Sequence, residues 1–71
     1  MDDDIAAVVA EARRRDPSLP TEAAEVLARA ALECTAVDAP GISRALLDRQ
    51  VDLDASWANA VATAVVTLRS T

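Results

Sequence analysis

The C-terminal part of the chain contains a helix-length segment without a single charge. Between Asp54 and Arg69 every residue is uncharged, and most are Ala or Val. This segment is shorter than the ~20 residues that an apolar helix needs to cross a membrane, so no membrane span is expected. A helix that is apolar nearly all round lies either at the centre of its own bundle or against a partner. The sequence alone leaves both interpretations open.

Within this segment, one broad helical face is predicted to contact another protein. Trp is among the residue types most enriched at binding hot spots, and the chain has one Trp. The predicted interaction residues are therefore Trp57, Ala58, Val61, Ala62, Val65 and Leu68. In the alternative interpretation Trp57 is an ordinary core anchor of a small bundle.

Size and composition both limit the core that the chain can build. Its 71 residues suffice for one domain, spanning residues 1–71, and 17 of them are Ala. Burying a methylene stabilises by roughly 0.8 kcal/mol, and Ala offers one methyl where Leu offers several carbons. Ordering still costs about 1.5 kcal/mol per residue, and small domains without disulfides or metals commonly oligomerise. A homo-oligomer or a protein partner is therefore expected.

The pattern of apolar residues and helix punctuation predicts an all-α fold, a small compact bundle of four short helices. Pro17 should end the first helix, Thr21 should cap the second, and Asp38 and Asp54 should cap the third and fourth. The predicted helices span about residues 5–15, 22–37, 42–50 and 55–68.

Each of the first three helices has a predicted buried face. Two ion pairs at i, i+4 spacing should support the exposed sides, Glu11 with Arg15 and Glu25 with Arg29. The inward residues are Ile5, Val8, Val9 and Ala12 in the first helix, Ala23, Val26, Leu27, Ala30, Ala31 and Cys34 in the second, and Ile42, Ala45, Leu46 and Leu47 in the third.

The residues that usually carry catalysis or bind metal are scarce. The chain has no His, and its one Cys, Cys34, is predicted to be a buried structural residue. Asp48, Asp52 and Asp54 lack the ligand offsets, central Gly and terminal Glu of a calcium-binding loop. We therefore predict no enzyme activity, no metal, no cofactor and no small-molecule substrate.

Nucleic acid is also an unfavourable partner. The formal net charge is −5, and Arg13, Arg14 and Arg15 form the one basic run, placed where it complements the dipole of the first helix. Residues 42–68 can be drawn as a helix-turn-helix, but the last helix offers only Asn59 as a base-reading residue type. We predict no direct binding to DNA.

Ser18 lies in a segment, Asp16-Pro17-Ser18-Leu19, that resembles the Asp-Ser-Leu attachment site of acyl carrier proteins. Those proteins are also small, acidic and four-helical. Here Pro17 interrupts the motif, and the long loop that precedes it in that family is missing. The resemblance covers a few residues and does not assign the chain to that family.

The sequence leaves two function hypotheses. The acidic residues Asp2 to Asp4 lie where a secretory signal would have basic residues, so a cytoplasmic location is expected. The lack of Lys beside abundant Ala and Arg suggests a GC-rich coding sequence of bacterial origin. The leading hypothesis is a non-enzymatic protein–protein interaction module, an adaptor, assembly or homotypic association domain. The alternative is a small acidic regulatory partner, such as an antitoxin, immunity protein or inhibitor, that binds a basic protein.

Overall fold

The chain folds into four α-helices joined by short connections. The computed structural model describes residues 2–49 and 53–70, with the backbone only for Asp2, and these residues form no strand. The helices are α1 (Asp2–Arg15), α2 (Thr21–Glu33), α3 (Ala39–Arg49) and α4 (Ala55–Arg69). The predicted all-α bundle of four short helices is confirmed. Predictions made for Gln50, Val51 and Asp52 lie outside the described residues.

The helix α4 is the centre of the bundle, because α1, α2 and α3 all pack against it. Its polar residues Ser56, Asn59, Thr63 and Thr67 keep to one side, where none of them is buried. Half of the sixteen buried apolar residues in the described chain are alanines, whose short side chains let helix backbones approach closely. The largest fully buried side chains are Leu19, Ile42, Leu46, Val8, Val61 and Val65.

Local capping signals explain where three of the four helices begin or end. Asp54 accepts a hydrogen bond from the Ser56 amide at 2.8 Å, and Asp38 accepts one from the Gly41 amide at 2.8 Å. Both predicted caps are confirmed. The helix α1 ends at Arg15, two residues before Pro17, as the restricted backbone of a residue before proline predicts.

The boundaries of α2 differ from the prediction at both ends. Pro20, not Thr21, occupies the N-cap position, and it provides no side-chain cap. The helix ends at Glu33, four residues earlier than expected. Cys34 is no longer helical, since its backbone is extended with ψ 141°. The following segment contains Thr35 and Val37, whose branched side chains have low helix propensity.

The buried face of α2 is also rotated relative to the prediction. Leu27 and Ala31 are buried as expected, but Ala24 and Ala28 complete the inner face. Val26, predicted to face inward, is 55% exposed. With alanines on several sides of the helix, the apolar residues alone do not define one direction, and packing on α1 and α4 selects the Ala24–Ala28 side.

Candidate interaction surface

The six predicted interaction residues of α4 divide into a buried group and a half-buried pair. Ala58, Val61 and Ala62 have 0% of their surface exposed and Val65 has 1%, so these four contact the chain's own core. Trp57 and Leu68 are half-buried. The other three helices cover these four residues, as in the interpretation that places α4 at the centre of its own bundle. A contact role remains a prediction for Trp57 and Leu68.

Trp57 joins the start of α4 to the loop between α1 and α2. Its indole Nε1 donates to the Ser18 hydroxyl oxygen at 3.4 Å. That hydroxyl donates to Asp16 Oδ1 at 2.6 Å, and the same carboxylate oxygen accepts the Ser18 amide at 3.1 Å. Asp16 therefore holds a side-chain-to-backbone turn, and the Ser18 hydroxyl is part of that turn.

The arginine run at the end of α1 is paired within the chain. Arg14 and Arg15 both reach Glu11 Oε2, at 2.6 and 3.2 Å, which confirms the predicted Glu11–Arg15 pair. Arg15 also donates to the Thr67 hydroxyl of α4 at 3.2 Å. Arg13 Nε donates to the carbonyl of Leu19 at 3.2 Å, across the loop. The run thus fastens the end of α1 to the loop and to α4.

The outward side of α2 carries an exposed apolar residue among charged ones. We call this surface the α2 outer face and define it as Glu22, Glu25, Val26, Arg29, Ala30 and Glu33. Val26 and Val37 are the large apolar side chains that stay exposed in the described chain. Val26 is the one that lies within a helix, so its position is fixed by regular backbone.

Two shallow grooves flank the α2 outer face, and Glu25 and Arg29 line both of them. The first groove has an apolar floor formed by four residues of α1: Ile5, Ala6, Val9 and Ala10. Arg13, also from α1, lines the same groove. On the other side Val26, Ala30 and Glu33 meet Arg49 of α3. The two charged residues therefore form a ridge between two grooves.

The predicted ion pair between Glu25 and Arg29 is not formed. Among the described residues, neither side chain makes an ion pair within 4.0 Å or a hydrogen bond, although their i, i+4 spacing suits one. Both remain exposed, so both are available to charges outside the chain.

The other candidate residues are dispersed. Cys34 is half-buried at the end of α2, where its amide donates to the Ala31 carbonyl at 3.1 Å. Asp54 serves as the cap of α4, and Asp52 lies outside the described residues. Residues 2–49 and 53–70 contain no group of three or more His, Cys, Asp or Glu residues placed to hold a metal ion.

Sequence reasoning missed the α2 outer face because it placed Val26 in the core. The available signal was the charge pattern: Glu22, Arg29 and Glu33 lie within about 60° of Val26 on a helical wheel, whereas the buried residues of α2 lie about 100° or more away.

None of the helices in the described part of the chain is both long enough and apolar enough to cross a membrane.

Comparison with known proteins adds no relative. No protein-family model matches the chain, and neither a curated protein nor a solved structure matches it.

Proposed function

We propose that this chain is a non-enzymatic protein–protein interaction module, acting in the cytoplasm as an adaptor, assembly domain or homotypic association domain. The observation that supports the proposal is the exposure of Val26, 55%, at the middle of a regular helix with a groove on each side. An exposed apolar side chain bordered on one side by charged residues fits the composition of protein contacts, which have an apolar core and a polar rim.

The chemistry of the α2 outer face suits helix docking. Val26 and Ala30 supply a small apolar strip, and Glu25 and Arg29 supply charges of both signs that have no partner among the described residues. A partner that covers the strip buries Val26, and this burial stabilises the complex. Charges of the partner that lie beside Glu25 and Arg29, each opposite in sign, fix the orientation in which it binds.

The test compares two valine substitutions. Val26→Glu places a charge in the proposed contact, and Val37→Glu makes the same change at a valine that is 82% exposed and lies outside it. Tagged wild-type and variant chains are exposed to an extract of the source organism and to an untagged second copy. We expect wild type and Val37→Glu to retain the same protein and Val26→Glu to lose it at least tenfold, since charges are disfavoured at a contact core. The proposal would be refuted if the wild-type chain retained neither a protein from the extract nor the untagged second copy.

A second candidate is a small acidic regulatory partner that binds a basic protein. Six exposed carboxylates favour it, because they make no ion pair or hydrogen bond with other described residues: Asp3, Asp4, Glu22, Glu25, Glu33 and Asp48. Salt separates the candidates. A contact led by Val26 should persist when salt rises from about 0.05 to about 1 M, whereas a contact led by carboxylates should weaken steeply.

A further inference from the structure

We infer that the partner of the α2 outer face is a second copy of this chain, with the two α2 helices packed antiparallel about a two-fold axis. The inference rests on the proposed function and specifies its partner. It is carried by Glu25 and Arg29, two opposite charges that face each other across the contact when the direction of the second helix is reversed.

The complementarity follows from the positions of Glu25 and Arg29. These opposite charges lie one turn apart on the same side of α2, and neither is paired within the described chain. We place a two-fold axis perpendicular to α2, midway between these two residues and therefore at the level of residue 27. This axis generates a second α2 that runs in the opposite direction. Glu25 of each copy then lies opposite Arg29 of the other, so one contact forms two equivalent ion pairs.

The same axis brings the exposed apolar residue into contact with itself. Val26 is one residue from the level of the axis, which is about 1.5 Å along the helix. The two Val26 side chains therefore meet near the centre, and each covers surface that is 55% exposed in the single chain. Ala30 lies beside Val26 in the same groove and leaves room for the second helix.

The ends of the contact are compatible with this arrangement. Glu22 of one copy approaches the end of α2 that carries Glu33 in the other, where like charges alone would repel. Arg49 of α3 lines the same groove as Glu33 and brings a positive charge to that position. Packing at the inclined angle usual for helices also moves the ends apart.

The test is a set of charge reversals followed by solution mass. Purified wild type, Glu25→Arg, Arg29→Glu and the double variant are measured by sedimentation over a hundredfold concentration range, with helix content checked by circular dichroism. We expect a dimer for wild type and at least about tenfold weaker dimerisation for each single variant, since like charges then face each other twice. The double variant restores opposite charges and should dimerise as wild type does.

Mixing the two single variants provides the sharpest arm. Glu25→Arg carries two positive charges on the ridge and Arg29→Glu carries two negative ones, so an equal mixture should form a heterodimer that neither forms alone. The matched control is Arg44→Glu, at an exposed arginine of α3 outside the α2 outer face, which should leave dimerisation unchanged.

Two outcomes would overturn the inference. A wild-type chain that is monomeric at every concentration rules out the second copy, and the proposed function then depends on the partner captured from the extract. Single variants that dimerise like wild type, or a mixture no stronger than its components, show that the Glu25–Arg29 ridge does not form the contact.

Discussion

Gly41 shows how a single residue accommodates a helix cap. It is the third residue of α3, and its amide donates to Asp38 Oδ1 at 2.8 Å. A Cβ at this position would lie 2.5 Å from that same carboxylate oxygen and 3.1 Å from the Ala36 Cβ. The absence of a side chain at Gly41 therefore leaves the space in which the Asp38 carboxylate caps the helix.

This geometry makes the effect of Gly41→Ala depend on Asp38. In the wild-type background the new methyl displaces the capping carboxylate, which costs about 0.5–2 kcal/mol and offsets the ~1 kcal/mol that Ala ordinarily gains over Gly in a helix. In an Asp38→Ala background the cap is already gone, and Gly41→Ala should stabilise by up to about 1 kcal/mol. Urea unfolding followed by Trp57 fluorescence measures the free energy of unfolding of wild type, the two single variants and the double variant. An equal effect of Gly41→Ala in both backgrounds would contradict the prediction.

At the scale of elements, α4 is defined by the small residues through which it packs. Ala58 and Ala62 have no exposed surface, and α4 contacts each of the other three helices. Because small side chains set the spacing between the helices, a larger side chain at Ala58 or Ala62 can fit only if a neighbouring helix moves.

Ala62→Leu tests this packing, with Ala55→Leu as the matched control in the same helix. Ala62 is fully buried and Ala55 is exposed at the start of α4. We expect Ala62→Leu to lower the free energy of unfolding by about 1–3 kcal/mol through overpacking, and Ala55→Leu to change it by less than about 0.5 kcal/mol. The measurement is chemical denaturation of both variants. A loss at Ala55 as large as that at Ala62 would show that the alanine spacing is not what matters.

The elements also show what sequence could predict. Helix number and the caps at Asp38 and Asp54 depend on residues within one turn of each other, so the local sequence contains the information. The orientation of α2 does not, because alanines on several sides leave its apolar direction undefined until α1 and α4 are in place. The apolar residues alone therefore placed Val26 in the core, although the charged residues on its side of α2 indicated a surface position.

The sequence also does not show whether α4 is covered by its own chain or by a partner. An uncharged helix has the same residue pattern in both cases. The answer depends on three other helices, whose packing brings Val8, Leu27 and Ile42 into the same core as α4. Such distant contacts leave no local signature in residues 55–69.

At the scale of the whole molecule, stability is unevenly distributed. The helix α4 packs on all three others, whereas α3 packs chiefly on α4, less on α2, and makes no contact with α1 within the described residues. Segments with fewer contacts open at lower free energy than the core of a domain. We therefore expect α3 to open before the remaining helices separate.

Amide hydrogen exchange, resolved by residue, measures this difference. The amides in the middle of α3 should show protection at least about tenfold lower than those in the middle of α4. The central turns of α4 should exchange only through global unfolding and agree with the free energy from denaturation. Equal protection in α3 and α4 would mean that the four helices open as one unit.

The central position of α4 has a consequence for synthesis, because it is the last of the four helices to leave the ribosome. Until it emerges, α1 and α2 can pair with each other, but α3 lacks the surface on which it chiefly rests. A nascent chain at that stage leaves Ile42 and Leu46 open to water, although both become buried in the finished fold. Folding is thus completed only after release of the fourth helix, and a product truncated before residue 55 would be a substrate for proteolysis.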